Sequence, residues 1–466
     1  MGEVAIDRVI RQAVRAATAA TAWLAVLGAW SPTWSPSWAQ PAQPSQAIIW
    51  CANKSNAFLP EFAINGCTVA IERGFETPHN LAVAYNNRGL AYADKGDFAR
   101  ALADYSQAIR LDPTLALAVI NRGLAYAERG DLALALADFT QAVLLDPNFA
   151  LAYTARANAY AGARNYDRAI ADYSEAIRLD PRSAMAFRNR GLAWRDKGEL
   201  DRAIADYSEA IRLDPAYLAA FNDRGLAYRG KHDLDRALAD FNEAIRLDPK
   251  NVVALSGRAS IYSDKHDYVG ALADIEKAVA ITPGYAQARV LRGHVYYGIG
   301  DLDRAVADFT EAVRLDPLSA EGYARRGLAY ETKGDYARAV PDFDAAIRIA
   351  PANAETWNSR CWARAVAGID LQAALADCDQ SLRLAPESGD TLDSRAFVHL
   401  KLGELDAAIA DYDAALGLVP NLVTALYGRG IARLRKGDRV SANADIAAAR
   451  ALRPTVAEEF AIYGIR

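Results

Sequence analysis

Reactive side chains are scarce in this sequence, and so is any excess of charge. Its 466 residues include two methionines, four cysteines and five histidines. The histidines (His79, His232, His266, His294 and His399) stand far apart, and no HExxH or Cys–His pair can be read. GxSxG and a Gly-rich phosphate loop are missing too. The expectation is therefore a chain with no catalytic residues, no cofactor and no metal, which is not an enzyme. The formal net charge is only −5, with Lys and Arg dispersed along the chain. That removes the electrostatic reason for a nucleic-acid partner. Disorder is excluded as well, because 52% of the residues are hydrophobic.

The N-terminus reads as a separate segment. Arg8, Arg11 and Arg15 precede an apolar stretch, Ala16 to Trp30, that is shorter than the roughly 20 residues of a membrane span. Ser37 and Ala39 then supply small residues at the −3 and −1 places of a cleavage site. Residues 1–39 are expected to be an export signal removed after Ala39, which places the mature chain in the periplasm or outside the cell. The alternative is an uncleaved anchor, the one case in which the membrane is a partner.

The rest of the chain is periodic. Pro113, Pro147, Pro181, Pro215, Pro249, Pro283, Pro317 and Pro351 recur at one constant spacing, then Pro386, Pro420 and Pro454 after a one-residue insertion. With this Pro at place 32, eleven repeats run from 82 to 456. Place 8 is always small, and place 20 is Ala throughout, from Ala101 to Ala442. Place 11 is aromatic in the first eight repeats, from Tyr92 to Tyr330. Place 24 is mostly aromatic, as in Tyr105, Phe139 and Phe309. Small residues let two helix backbones approach, and large ones fill the space beside them. Gly-Asp pairs such as Gly96-Asp97 end one helix and cap the next. Pro341 is a departure: it falls inside a second helix, where it removes a hydrogen bond and is expected to bend it.

Tyr85, Gly89, Tyr92, Ala101, Tyr105, Ala108 and Pro113 stand at the offsets of the tetratricopeptide repeat, and the pattern resembles that family over residues 82–456. The resemblance implies an all-α, right-handed superhelical solenoid of about eleven 34-residue helix-turn-helix repeats with N- and C-terminal capping helices. Residues 40–81 are expected to be a linker and a degenerate cap, and 457–466 a C-terminal capping helix covering the last repeat.

Cys361 and Cys378 occupy places 8 and 24 of repeat nine, where a small residue and an aromatic otherwise meet. Cys51 and Cys67 are spaced almost identically, so the degenerate cap is expected to be stapled in the same way, with Pro78 as its terminator. Two disulfides, Cys51–Cys67 and Cys361–Cys378, are predicted, as an exported chain allows.

Place 7 is Arg and place 23 is Asp in all eleven repeats, from Arg88 and Asp104 to Arg429 and Asp445. One type on each helix predicts a ladder of bridges, since the guanidinium fork matches a carboxylate. Sequence leaves open whether each bridge lies within or between repeats.

The resemblance further implies a concave groove lined by first-helix places 2, 5, 6, 9, 12 and 13. Candidate groove residues are Asn86, Asn87, Asn121, Asn158, Arg188, Asn189, Asn222, Asp223, Trp357, Trp362 and Phe397. A side-chain amide both donates and accepts, which suits a peptide backbone. Trp362 and Phe397 take place 9, where Leu is the rule, and read equally as partner contacts or as repacking beside the Cys pair. The chaperone-tail clamp of some family members needs Lys and Asn at places 5 and 9 of one helix, and no repeat has that pair, so a C-terminal carboxylate clamp is not expected. The implied function is a non-catalytic scaffold or adaptor of the bacterial cell envelope that holds a protein or peptide. The alternatives are a recognition arm for an enzyme acting in trans in glycan or cell-wall processing, and a membrane-tethered assembly factor.

Overall fold

A computed structural model describes residues 44–52, 59–74 and 77–465; the expected export signal lies outside the described residues. Every regular element among the described residues is an α-helix. Helices alternate in pairs of 13 or so residues. Repeat four is typical, with a first helix Ala184–Asp196 and a second helix Leu200–Leu213. The chain divides into two compact bodies, one ending at Asp240 and one beginning at Phe241.

Within each repeat, place 8 lies directly against place 24. A Cβ placed on Gly191 would come 2.6 Å from the Tyr207 ring, and one on Gly327 would come 2.7 Å from Phe343. The small residue is therefore a steric requirement, because the aromatic it faces is fully buried. The turn is as regular. Place 15 has positive φ in all eleven repeats, from Gly96 (76°) to Gly437 (91°). Three repeats put a residue with a side chain there: Arg164 (58°), His232 (59°) and His266 (60°). The next residue caps the second helix. Asp97 accepts from the Arg100 amide at 3.1 Å and Asp301 from the Arg304 amide at 3.0 Å.

The two Cys pairs lie where they are expected. Cys361 and Cys378 are joined with Cα atoms 5.5 Å apart, and Cys51 and Cys67 with Cα atoms 4.4 Å apart. The N-terminal pair of helices is Pro44–Ala52 and Pro60–Arg73, packed through Trp50 against Phe62 at 5.1 Å. Pro78 does not terminate this cap. The second helix stops at Gly74 (φ 75°), and Pro78 opens the next helix, Pro78–Asp94, with the Thr77 hydroxyl accepting from the Asn80 amide at 3.2 Å. Pro has no N–H to lose in the first turn, so that position suits it better than a helix end.

Pro341 leaves its helix at full length, Tyr336–Ile349. It sits six residues in, on the exposed side, where one missing amide bond breaks no packing. The last helix spans Val456–Ile462, starting one residue before the expected boundary and ending four before the C-terminus.

Candidate functional site

The Arg and Asp ladders pair within the repeat. In repeat four, Arg190 Nε and Nη2 donate to the two Asp206 oxygens at 2.8 and 2.7 Å. The same fork recurs from Arg88–Asp104 to Arg429–Asp445. The remaining guanidinium nitrogen reaches backward. Arg190 Nη1 donates to Ser174 Oγ of repeat three at 3.1 Å, and Arg360 Nη1 to Asp344 of repeat eight at 2.6 Å. Such an Arg holds its own helix pair and ties it to the previous one, whereas Arg122, Arg156 and Arg292 make the fork alone among the described residues. Arg88 ties its pair to Thr68 of the N-terminal cap, at 3.2 Å.

Place 11, aromatic in the first eight repeats, changes chemistry in the last three. In the early repeats its aromatic ring carries a second Arg, as where Arg100 lies 4.4 Å from the centre of the Tyr92 ring. In repeats nine and eleven it is basic, and Arg364 and Arg433 give Asp377 and Asp445 a second partner at 2.6 and 2.8 Å. That explains the missing aromatic of repeat nine without reference to a ligand.

The candidate amides join one another. Asn121 Nδ2 donates to Asn86 Oδ1 at 2.9 Å, Asn86 Nδ2 to Asn87 Oδ1 at 3.2 Å, and Asn87 Nδ2 to the Cys51 carbonyl at 3.2 Å. Asn86 and Asn121 are only 3% and 6% exposed. Further on, Asn189 Nδ2 and the Tyr173 hydroxyl both donate to Asn158 Oδ1, at 3.3 and 2.6 Å. Arg188 Nε donates to Asp223 Oδ2 at 2.6 Å, linking repeats four and five. Burial pushes the Asp223 carboxyl up and the Arg188 charge only partly offsets it. Asn222 is buried beside it, and Asn189 Oδ1 is buried with no hydrogen-bond partner.

The aromatic candidates separate. The Trp357 indole donates to the Pro351 carbonyl at 2.9 Å and lies under Arg360, apart from the others. Trp362 and Phe397 come together, with ring centres 5.1 Å apart. Both pack against the C-terminal segment, through Tyr463 and Phe460.

One cavity opens between the first helices of repeats eight and nine, about 310 Å³ in volume. Arg325, Glu321, Glu355, Asn353 and Ser359 line it. Arg325 is the one basic residue at place 6 in the eleven repeats. This mixture of one cation, two carboxylates and short polar groups can hold a peptide-like backbone with a charged side chain. Burial chiefly holds His294 below its ordinary value, and the Arg325 charge adds to that. Such a group gives no nucleophile–base pair. Among the described residues, no cluster of three or more His, Cys, Asp or Glu could hold a metal ion. No described helix is long and apolar enough to cross a membrane.

Comparison with protein-family models gives tetratricopeptide repeat matches at 82–115, 116–149, 154–217, 219–251 and 290–354, and a TPR repeat match at 398–437. Curated proteins give no match. Among solved structures, the APC/C hetero-tetramer Cut9–Hcn1 is 15% identical over 90% of this chain and 95% of that one, with a TM-score of 0.50, a likeness of fold. A tetratricopeptide repeat protein from Parabacteroides merdae is 22% identical over 53% of this chain and 98% of that one, with a TM-score of 0.45. YrrB, a TPR protein described as having an unusual peptide-binding site, is 26% identical over 38% of this chain and 92% of that one, at 0.31.

Proposed function

Because the chain belongs to the tetratricopeptide repeat family, we propose that it acts as a non-catalytic scaffold, holding a protein or peptide segment against the first helices of its repeats. The observation that carries this reading is the cavity between repeats eight and nine. Elsewhere the charged ladder is satisfied inside the molecule, bridge by bridge. At this cavity Arg325, Glu321 and Glu355 stand outside that pairing scheme and line open space. An amide backbone with an acidic side chain directed at Arg325 matches it. The compartment belongs to the same proposal: the export-type N-terminus and the two buried Cys pairs suit a cell-envelope protein.

The test is site-specific photo-crosslinking in the native cell. A photoreactive residue at Ser359, on the cavity wall, should capture a discrete protein partner, and one at Arg314, on an exposed second-helix face, should not. Arg325→Glu should weaken the Ser359 capture with the melting temperature unchanged. Equal capture from both positions, or turnover of a substrate by the purified chain, would sink the reading.

A further inference from the structure

The C-terminal segment reaches much further than a cap needs to. A terminal helix has only to cover the apolar side of the last repeat. Here the segment leaves repeat eleven after Pro454 and crosses the first helices of three repeats in turn. Phe460 packs on Tyr427 of repeat eleven at 4.8 Å and on Phe397 of repeat ten at 5.7 Å. Tyr463 packs on Trp362 of repeat nine at 5.5 Å. Its hydroxyl also feels the charge of Glu331, in repeat eight. Phe460 and Ile465 are buried, while Ile462 between them is 80% exposed. Tyr427 takes place 5, and Trp362 and Phe397 take place 9, so one large ring from each successive repeat meets the segment.

Two further features separate this contact from an ordinary end cap. The segment is short: its helix has seven residues with no side-chain cap at its N-terminus, and Arg453 and Thr455 fasten it through Glu459 at 2.8 and 3.0 Å. A helix that short has almost no stability of its own. One polar group near it, Glu331, is badly served among the described residues. Glu331 Oε2 is buried with no hydrogen-bond partner. Lys401 lies over the Phe397 ring at 5.3 Å with the Val366 carbonyl as its hydrogen-bond acceptor, and burial lowers its pKa. A partner able to donate to Glu331 would replace the segment with a gain.

We propose that the aromatic surface of Trp362, Phe397 and Tyr427 is a docking site which residues 456–465 fill as an intramolecular ligand. The partner it fits is a segment with two aromatic side chains three residues apart and an aliphatic one two residues later, the pattern of Phe460, Tyr463 and Ile465. This rests on the reading of the repeats as a peptide-holding scaffold. The tether sets a threshold for exchange. A short link acts as a local concentration on the order of millimolar, so a partner at micromolar concentration must bind the open surface about 10³-fold more tightly than the free segment does.

The test uses a fluorescent synthetic peptide with the sequence of residues 455–466 and the full mature chain. Phe460→Asp with Tyr463→Asp should undock the segment and raise peptide affinity by roughly tenfold or more over the unaltered chain. Trp362→Ala added to that pair should abolish the gain. Peptide binding no better than in the unaltered chain, with helicity kept, overturns the proposal. Hydrogen exchange on the unaltered chain decides independently of any variant's folding. Amides 459–465 should exchange roughly tenfold or more faster than those of the second helix of repeat eleven, Arg439–Leu452. Exchange at the same rate would show a fixed cap and overturn it. Ser359 crosslinks that survive such a failure leave the scaffold reading standing, whereas their loss beside intact peptide binding removes only the cavity.

Discussion

In eight of the eleven repeats the Arg at place 7 uses all three of its nitrogens, two on the Asp of its own repeat and one on the unit before, as Arg190 does. A bidentate fork fixes direction as well as distance, so the same residue sets the angle within a pair and the contact between pairs. Lys could supply the charge but not the second bond. Repeats ten and eleven, tied by Arg429 to Asp413 at 2.7 Å, share a second link. Asp393, fully buried on the first helix of repeat ten, accepts from the Thr424 hydroxyl at 2.6 Å. Burial pushes its carboxyl up from 3.8 to about 7. Between those two values the folded chain holds a proton that the unfolded chain has released. Stability therefore falls as pH rises across that window and levels off above about 7. Asp393→Asn keeps an acceptor for Thr424 and removes the titration. Urea unfolding at pH 5 and pH 8 should show the variant losing less stability between them than the unaltered chain, by an amount on the order of a few kcal/mol, with the loss from buried Glu331 common to both. Equal slopes in the two proteins would rule the account out.

At the scale of the element, the turn between paired helices asks for one left-handed residue, and eight repeats meet it with Gly. Arg164, His232 and His266 take the same conformation with a Cβ present, at a cost of roughly 1 kcal/mol each. The second helix begins correctly after all three, because the cap at the next place is intact where Asn165 accepts from the Arg168 amide. Arg164→Gly should then raise the denaturation midpoint by an amount worth about 0.5–1 kcal/mol, less than the full strain because Gly loses more entropy on folding. A fall in the midpoint would mean that the Arg164 side chain contributes contacts that outweigh its backbone. Pro341 makes the complementary point. A missing amide bond on an exposed helix side is tolerated when the buried side, Phe343 and Ala339, remains packed.

For the whole molecule, the two disulfides stand at particular places in the stack. One closes the N-terminal cap, the first helix pair of the described residues. The other replaces the small-against-aromatic contact of repeat nine, beneath the surface that the C-terminal segment covers. Each closes a loop of similar length, worth about 3 kcal/mol in the chain-entropy model. Neighbouring repeats stabilise one another only through shared faces, so loss of one staple weakens its surroundings first. Reduction should lower the unfolding midpoint and separate an early transition seen in the fluorescence of Trp357 and Trp362. One unchanged, single transition after full reduction would show that packing alone holds repeat nine.

The repeat length, the helix pairs, the ladders and the Cys pairs were legible from residue order, because each depends on side chains at fixed spacing within about one repeat. Place 8 must be small because place 24 of the same helix pair is large. What tertiary structure decided is everything that passes between repeats. Residue order did not reveal that the third Arg nitrogen reaches back to Ser174 or Thr68, or that Asn86 and Asn121 bond to each other. Nor did it show Trp362 and Phe397 meeting Phe460 and Tyr463 from the far end of the chain. Local spacing determines which side chains share a helix face. Only the packing of successive repeats determines which faces, tens of residues apart, come within bonding distance.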